Sequence, residues 1–169
     1  WLLVADSSNN RVLVYDVTAG VSDGMSASYV LGQPDFAAVS ANQGNLAPDA
    51  GTLNTPKGVG GYVEADGTLW LLVADRGNHR VLLYNTAGGL SNGMAATTVL
   101  GQVNATLALP NDANGDGTVY ISGCSSVTDV SAATLSKPKA VLVADVGSSA
   151  FLFVSDTDNN RVLAWDITT

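Results

Sequence analysis

The sixteen residues WLLVADSSNNRVLVYD (1–16) return as WLLVADRGNHRVLLYN at 70–85 and again as FLFVSDTDNNRVLAWD at 151–166. Aligned without gaps, residues 1–33 and 70–102 agree at 20 of 33 positions. The third copy is offset by 150 from the first, which places Phe151 on Trp1, Asp156 on Asp6 and Arg161 on Arg11. A short unit repeated in this way cannot bury its apolar face alone, so the units must stack on their neighbours.

Each unit reads as strands. WLLVA is a short apolar run closed by Asp, suited to a strand buried on both faces. SSNN, RGNH and TDNN supply turn chemistry, because Asn and Gly tolerate positive φ and short polar side chains bond the local backbone. RVLVY, RVLLY and RVLAW follow as second strands rich in β-branched and aromatic residues. SASYVLGQ and AATTVLGQ give a third, after a loop containing Gly-Met. TPKGVGGYV (55–63) and KPKAVLVAD (137–145) give a fourth, upstream of the second and third copies. No stretch carries sustained helical periodicity with caps. Four antiparallel strands per repeated unit point to an all-β chain, a β-propeller whose blades pack face to face.

The pattern P-x-G-V followed by L-x-V-A-D-x-x-N-N-R-V-x-x-Y resembles the NHL repeat, and VLGQPDF (30–36) after the Gly-Met loop is similar to bacterial NHL-repeat proteins. The resemblance covers residues 1–36, 52–102 and 135–166, with Ser155 and Trp165 as departures in the third copy. It implies about three blades of a propeller that in this family is typically six-bladed. The expected divisions are a partial blade at about 1–34, a blade at about 52–103, an insertion at about 104–134 and a partial blade at about 135–169. Counting strands, the first copy lacks its upstream strand and the third lacks its VLGQ strand. The expected partner is therefore the rest of its own propeller, or another copy completing the ring.

Charge narrows the function classes. Only 13% of residues are charged, about half the usual share. The net charge is −8 and no basic run occurs, which argues against nucleic acid and against anionic membranes. No apolar run approaches the roughly 18 residues of a membrane-spanning helix. A polar, acidic, Lys-poor composition suits a secreted, periplasmic or cell-surface protein. Cys124 is the single cysteine, so no disulfide can form within the chain.

Asp6/Arg11, Asp75/Arg80 and Asp156/Arg161 all sit five residues apart. Repetition in every unit favours architecture: Asp closes one strand and Arg, opening the next, bridges back with its planar fork. GVSDG (20–24) and GLSNG (89–93) match the nucleophile-elbow pattern, but that motif needs a strand-to-helix turn and a histidine base. His79 is the sole histidine and reads as a solvent-facing turn residue, too few for a multi-histidine metal site. In NDANGDGTVY (111–120) Asp112, Asn114 and Asp116 alternate before Gly117, which resembles the start of an oxygen-rich Ca²⁺ loop. Position twelve of such a loop is Gly123 rather than Glu, and a Gly-Asp-Gly hairpin turn is the plainer reading. Asn104-Ala-Thr106 is a glycosylation sequon, and no basic neighbour lowers the Cys124 pKa.

The expected function is a non-catalytic interaction or ligand-binding scaffold, with a protein or glycan ligand held by loops on a rigid frame. Two other classes remain. One is a propeller enzyme of the Ca²⁺-dependent lactonase or esterase kind, with its site mostly outside these residues. The other is a self-assembling surface protein whose sheets stack into polymers.

Overall fold

The apolar runs and Asn-rich turns fold as antiparallel strands in the computed structural model, which describes residues 1–112, 130–147 and 149–167 of the 169. In chain order the strands are β1 Leu2–Asp6, β2 Arg11–Tyr15, β3 Tyr29–Leu31, β4 Pro56–Val63, β5 Leu69–Asp75, β6 Arg80–Asn85, β7 Thr98–Leu100, β8 Pro138–Val146, β9 Ser149–Asp156 and β10 Arg161–Asp166. Sheet I orders them β1-β2-β3, sheet II β4-β5-β6-β7 and sheet III β10-β9-β8. Helix among the described residues is confined to short 3-10 turns, so the chain is all-β, and none of these sheets closes on itself.

The repeated motif makes the same hairpin three times. Asp6 pairs in register with Arg11, Asp75 with Arg80 and Asp156 with Arg161. Between them lies one 3-10 turn whose last residue is left-handed: Asn10 at φ 53°, His79 at 56° and Asn160 at 52°. Asn takes that conformation at little cost, which is why the turn is written with it. Strands β3 and β7 are shorter than SASYVLGQ and AATTVLGQ suggest, and they end where Gly32 (φ +86°) and Gly101 (φ +90°) turn the chain away. A Cβ at either glycine would lie 2.5 Å or 2.6 Å from Cδ1 of Leu53 or Leu135, so any other residue there must displace a core leucine and strain the backbone.

Stacking produces two apolar cores. One lies between sheets I and II and gathers Val12, Val14, Leu53, Leu71, Val73 and Tyr84. The other lies between sheets II and III and gathers Leu72, Ala74, Val81, Leu135, Leu152 and Val154. Neighbours along β5 thus face opposite cores, as the two-residue strand period demands. The near-continuous apolar run of LWLLVAD is buried through its second half because sheet II is covered on both sides. In sheet III the second half of β9 alternates buried with half-buried positions, and β10 alternates half-buried with exposed ones.

Strands β4 and β8 approach closely where sheets II and III meet. A Cβ on Gly58 would come within 2.7 Å of the Ala140 Cα. Among the described residues no helix is long and apolar enough to cross a membrane.

Candidate functional site

Each Asp–Arg pair is the centre of a bonded cluster at the turn end of its sheet. The Arg Nε donates to the Asp Oδ2 at 2.8 Å for Arg11, 2.7 Å for Arg80 and 2.7 Å for Arg161. An asparagine two residues before each arginine, Asn9, Asn78 or Asn159, donates its amide to the same carboxylate. In sheets II and III the other carboxylate oxygen accepts a backbone N–H from the incoming connection, Asn54 on Asp75 and Ser136 on Asp156. The guanidinium Nη2 then ties down that connection, Arg80 on the carbonyls of Asp49 and Thr52, Arg161 on those of Ser131 and Thr134.

Burial separates the copies electrostatically. Asp75 and Arg80 are both fully buried. There the loss of hydration pushes the Asp75 carboxyl up, against the pull of Arg80, the Asn54 N–H and Asn78. At Asp6 burial is again the largest single influence and pushes upward, but the bonds from Asn9 and Arg11 and the Arg11 charge together outweigh it and hold that carboxyl below its usual range.

Further pairings join residues far apart in the chain. Asn78 and Asn42 exchange side-chain hydrogen bonds, and Asn159 and Asn111 do the same. Gln33 and Gln102 each donate Nε2 to a turn carbonyl, Asn10 or His79, and to a loop carbonyl, Ser40 or Leu109. Residues 103–134 have no visible match by sequence, yet Asn111, Ser131 and Thr134 hold the places of Asn42, Asp49 and Thr52. Composition misses this. The available signal was an asparagine nine residues after each VLGQ glutamine.

His79 differs from its reading as a solvent-facing residue. It is largely buried, and its Nδ1 accepts the Lys137 backbone N–H at 3.2 Å. In sheet I the Asn10 side-chain oxygen does the same for the Thr55 N–H. Burial, aided by Lys137 and Arg76 against Asp158 and Asp156, lowers the His79 pKa from 6.5 to about 4. The imidazole is therefore neutral at ordinary pH, as the accepted bond requires. The two G-x-S-x-G loops follow β2 and β6, and His79 lies at the opposite end of β6 from the second.

Asp112 is buried. Asn114 and Asp116, the other residues of the suggested Ca²⁺ loop, lie outside the described residues, as does Cys124. Among the described residues no three of His, Cys, Asp and Glu come together in a way that could hold a metal.

At the opposite end of the strands, two clefts open between neighbouring sheets. The first, about 580 Å³, lies between the β4–β5 and β8–β9 hairpins and is lined by Tyr62, Glu64, Asp145, Ser149 and Ile167 among others. The second, about 550 Å³, sets Trp1 and Tyr29 of sheet I against Asp66, Thr68 and Leu90. Tyr62 stacks on Trp70 with ring centroids 6.2 Å apart, and burial with Glu64 nearby raises its hydroxyl pKa. Aromatic faces beside carboxylates and hydroxyls give each cleft apolar area and hydrogen-bonding groups together. Among known proteins, no family model and no curated sequence matches this chain.

Proposed function

We propose that this chain is an interaction scaffold of the NHL-repeat kind, an arc of propeller blades that acts outside the cytoplasm by presenting its inter-sheet clefts to a protein or glycan ligand. The observation that carries this reading is a division of labour between the two ends of the sheets. At the turn end the charged residues bond to each other and to backbone in every copy. That leaves them to hold architecture. At the hairpin end two clefts of about 550–580 Å³ stay open, with aromatic, carboxylate and hydroxyl groups on their walls. The resemblance of the repeat motif to NHL sequences supports the blade reading, as does face-to-face stacking of successive sheets. The acidic, Lys-poor composition supports an extracytoplasmic site of action.

The test is titration of neutral oligosaccharides and extended peptides followed by amide chemical shifts. The expected result is perturbation of Tyr62, Glu64 and Ser149, or of Tyr29 and Thr68, with about tenfold weaker binding after Tyr62→Ala for a ligand of the first cleft. Turnover of a lactone or ester panel that needs millimolar Ca²⁺ and is abolished by a chelator would overturn the non-catalytic reading.

A further inference from the structure

Three groups on the walls of the first cleft break the repeat. Strands β4 and β8 are equivalent: Pro56 pairs with Asp75 as Pro138 does with Asp156, and Val59 with Val73 as Val141 does with Val154. That register sets Tyr62 against Ala144, Glu64 against Val146 and Asp145 against Val63. The Asp–Arg pairs recur in every sheet because they hold the fold. Tyr62, Glu64 and Asp145 do not recur, yet the β4–β5 and β8–β9 hairpins bring all three to one cleft.

The charge in that cleft has one sign. All seven lysines and arginines lie at the opposite, turn end of the sheets, in a turn, in the connection before β8 or in the first two residues of a strand. The ion pairs of Arg11, Arg80, Lys137 and Arg161 are made there. At the cleft end, Asp16 and Asp66 accept hydrogen bonds from Thr18 and Thr68 and so hold their own turns. The carboxylates of Glu64 and Asp145 have no hydrogen-bond or ion-pair partner among the described residues. Charge of one sign between low-dielectric walls concentrates the field inside the cleft.

We infer that the first cleft takes a cationic side chain, the Lys or Arg of an extended peptide segment of a partner protein. The ammonium or guanidinium group sits between Glu64 and Asp145, and its apolar stem lies along Tyr62, Val143 and Ile167. Tyr62, stacked on Trp70, adds the attraction of an aromatic ring for a cation. The second cleft lacks this arrangement, since its one carboxylate, Asp66, is engaged by Thr68. The inference rests on the reading of the first cleft as a ligand site and adds the sign of the ligand's charge.

The test compares trilysine blocked at both termini with the same peptide acetylated on all three side chains, each titrated into the full chain and followed by amide chemical shifts. Blocked trilysine should perturb Tyr62, Glu64 and Ser149 with a dissociation constant of about 1 mM or tighter at low salt. The acetylated form, which keeps the stems and loses the charges, should bind about tenfold more weakly or worse. Glu64→Gln and Asp145→Asn should each weaken trilysine binding about fivefold. Asp16→Asn removes the same charge at the same end, outside both clefts, and should change binding by less than about twofold. Equal affinity for the two peptides, or a loss from Asp16→Asn as large as that from Glu64→Gln, would overturn the inference. In that event, perturbation of Tyr62 and Ser149 by the acetylated peptide or by a neutral oligosaccharide would keep this cleft as a ligand site, and no perturbation by either would end that reading as well.

Discussion

Arg80 places its guanidinium in a fully buried space and bonds there to Asp75 and to the carbonyls of Ala105, Asp49 and Thr52. Arg11 makes the matching Asp6 bond in a site that water reaches. Removing Arg80 strands a buried carboxylate and frees a connection, so Arg80→Ala should destabilise by about 3–5 kcal/mol. Arg11→Ala should cost about 1 kcal/mol, as expected for a partly hydrated pair. Urea unfolding midpoints of the two variants check the contrast, and equal losses would refute it. His79 gives a second test. Its folded pKa is depressed to about 4 from 6.5, so the unfolded chain binds the proton more readily across that interval. The stability it contributes is complete above pH 6.5 and declines as pH falls toward 4, by on the order of 2 kcal/mol. His79→Asn should keep the backbone bond, as Asn10 does for Thr55, and flatten the pH dependence between 6.5 and 4.5. Matched urea titrations at those two pH values measure it.

The strands and turns of each hairpin are legible in the sequence because their causes are local. Apolar runs, β-branched residues and an asparagine at the left-handed position all lie within about fifteen residues. The ends of β3 and β7 are harder to read, since Gly32 and Gly101 answer to Leu53 and Leu135, which arrive from later in the chain. The Asn42–Asn78 and Asn111–Asn159 pairs are hidden for the same reason, with partners 36 and 48 residues apart. His79 looks exposed from its turn position, but the neighbour that covers it, Lys137, is 58 residues away. The clefts are invisible in sequence because they exist only between sheets. Glycine substitutions separate local from non-local causes. A Cβ at Gly20 (φ +92°) would meet nothing within 4 Å, whereas one at Gly101 would meet Leu135. Gly20→Ala should therefore cost only the backbone strain, about 1 kcal/mol. Gly101→Ala adds displacement of a core leucine and should cost about 2–4 kcal/mol. Thermal melts distinguish the two, and equal shifts would deny the leucine contact its role.

Sheet II touches both cores, while sheets I and III touch one each. In a stack of this kind stability is close to a sum of sheet terms and nearest-neighbour interfaces, so the middle sheet should open last. Amides of β5 and β6 are expected to exchange most slowly with solvent hydrogen. Val154 sits in the core between sheets II and III at 0% exposure, and its truncation weakens that interface alone. Val154→Ala should lower protection throughout β8–β10 by about 2 kcal/mol. Protection in β1–β3 should hold nearly constant, because Val12 and Val14 of sheet I pack against the opposite face of sheet II. Native-state hydrogen exchange resolved by strand makes the comparison. Equal loss in all three sheets would mean that the stack opens as one unit, and the two cores would then have to be treated as a single cooperative body.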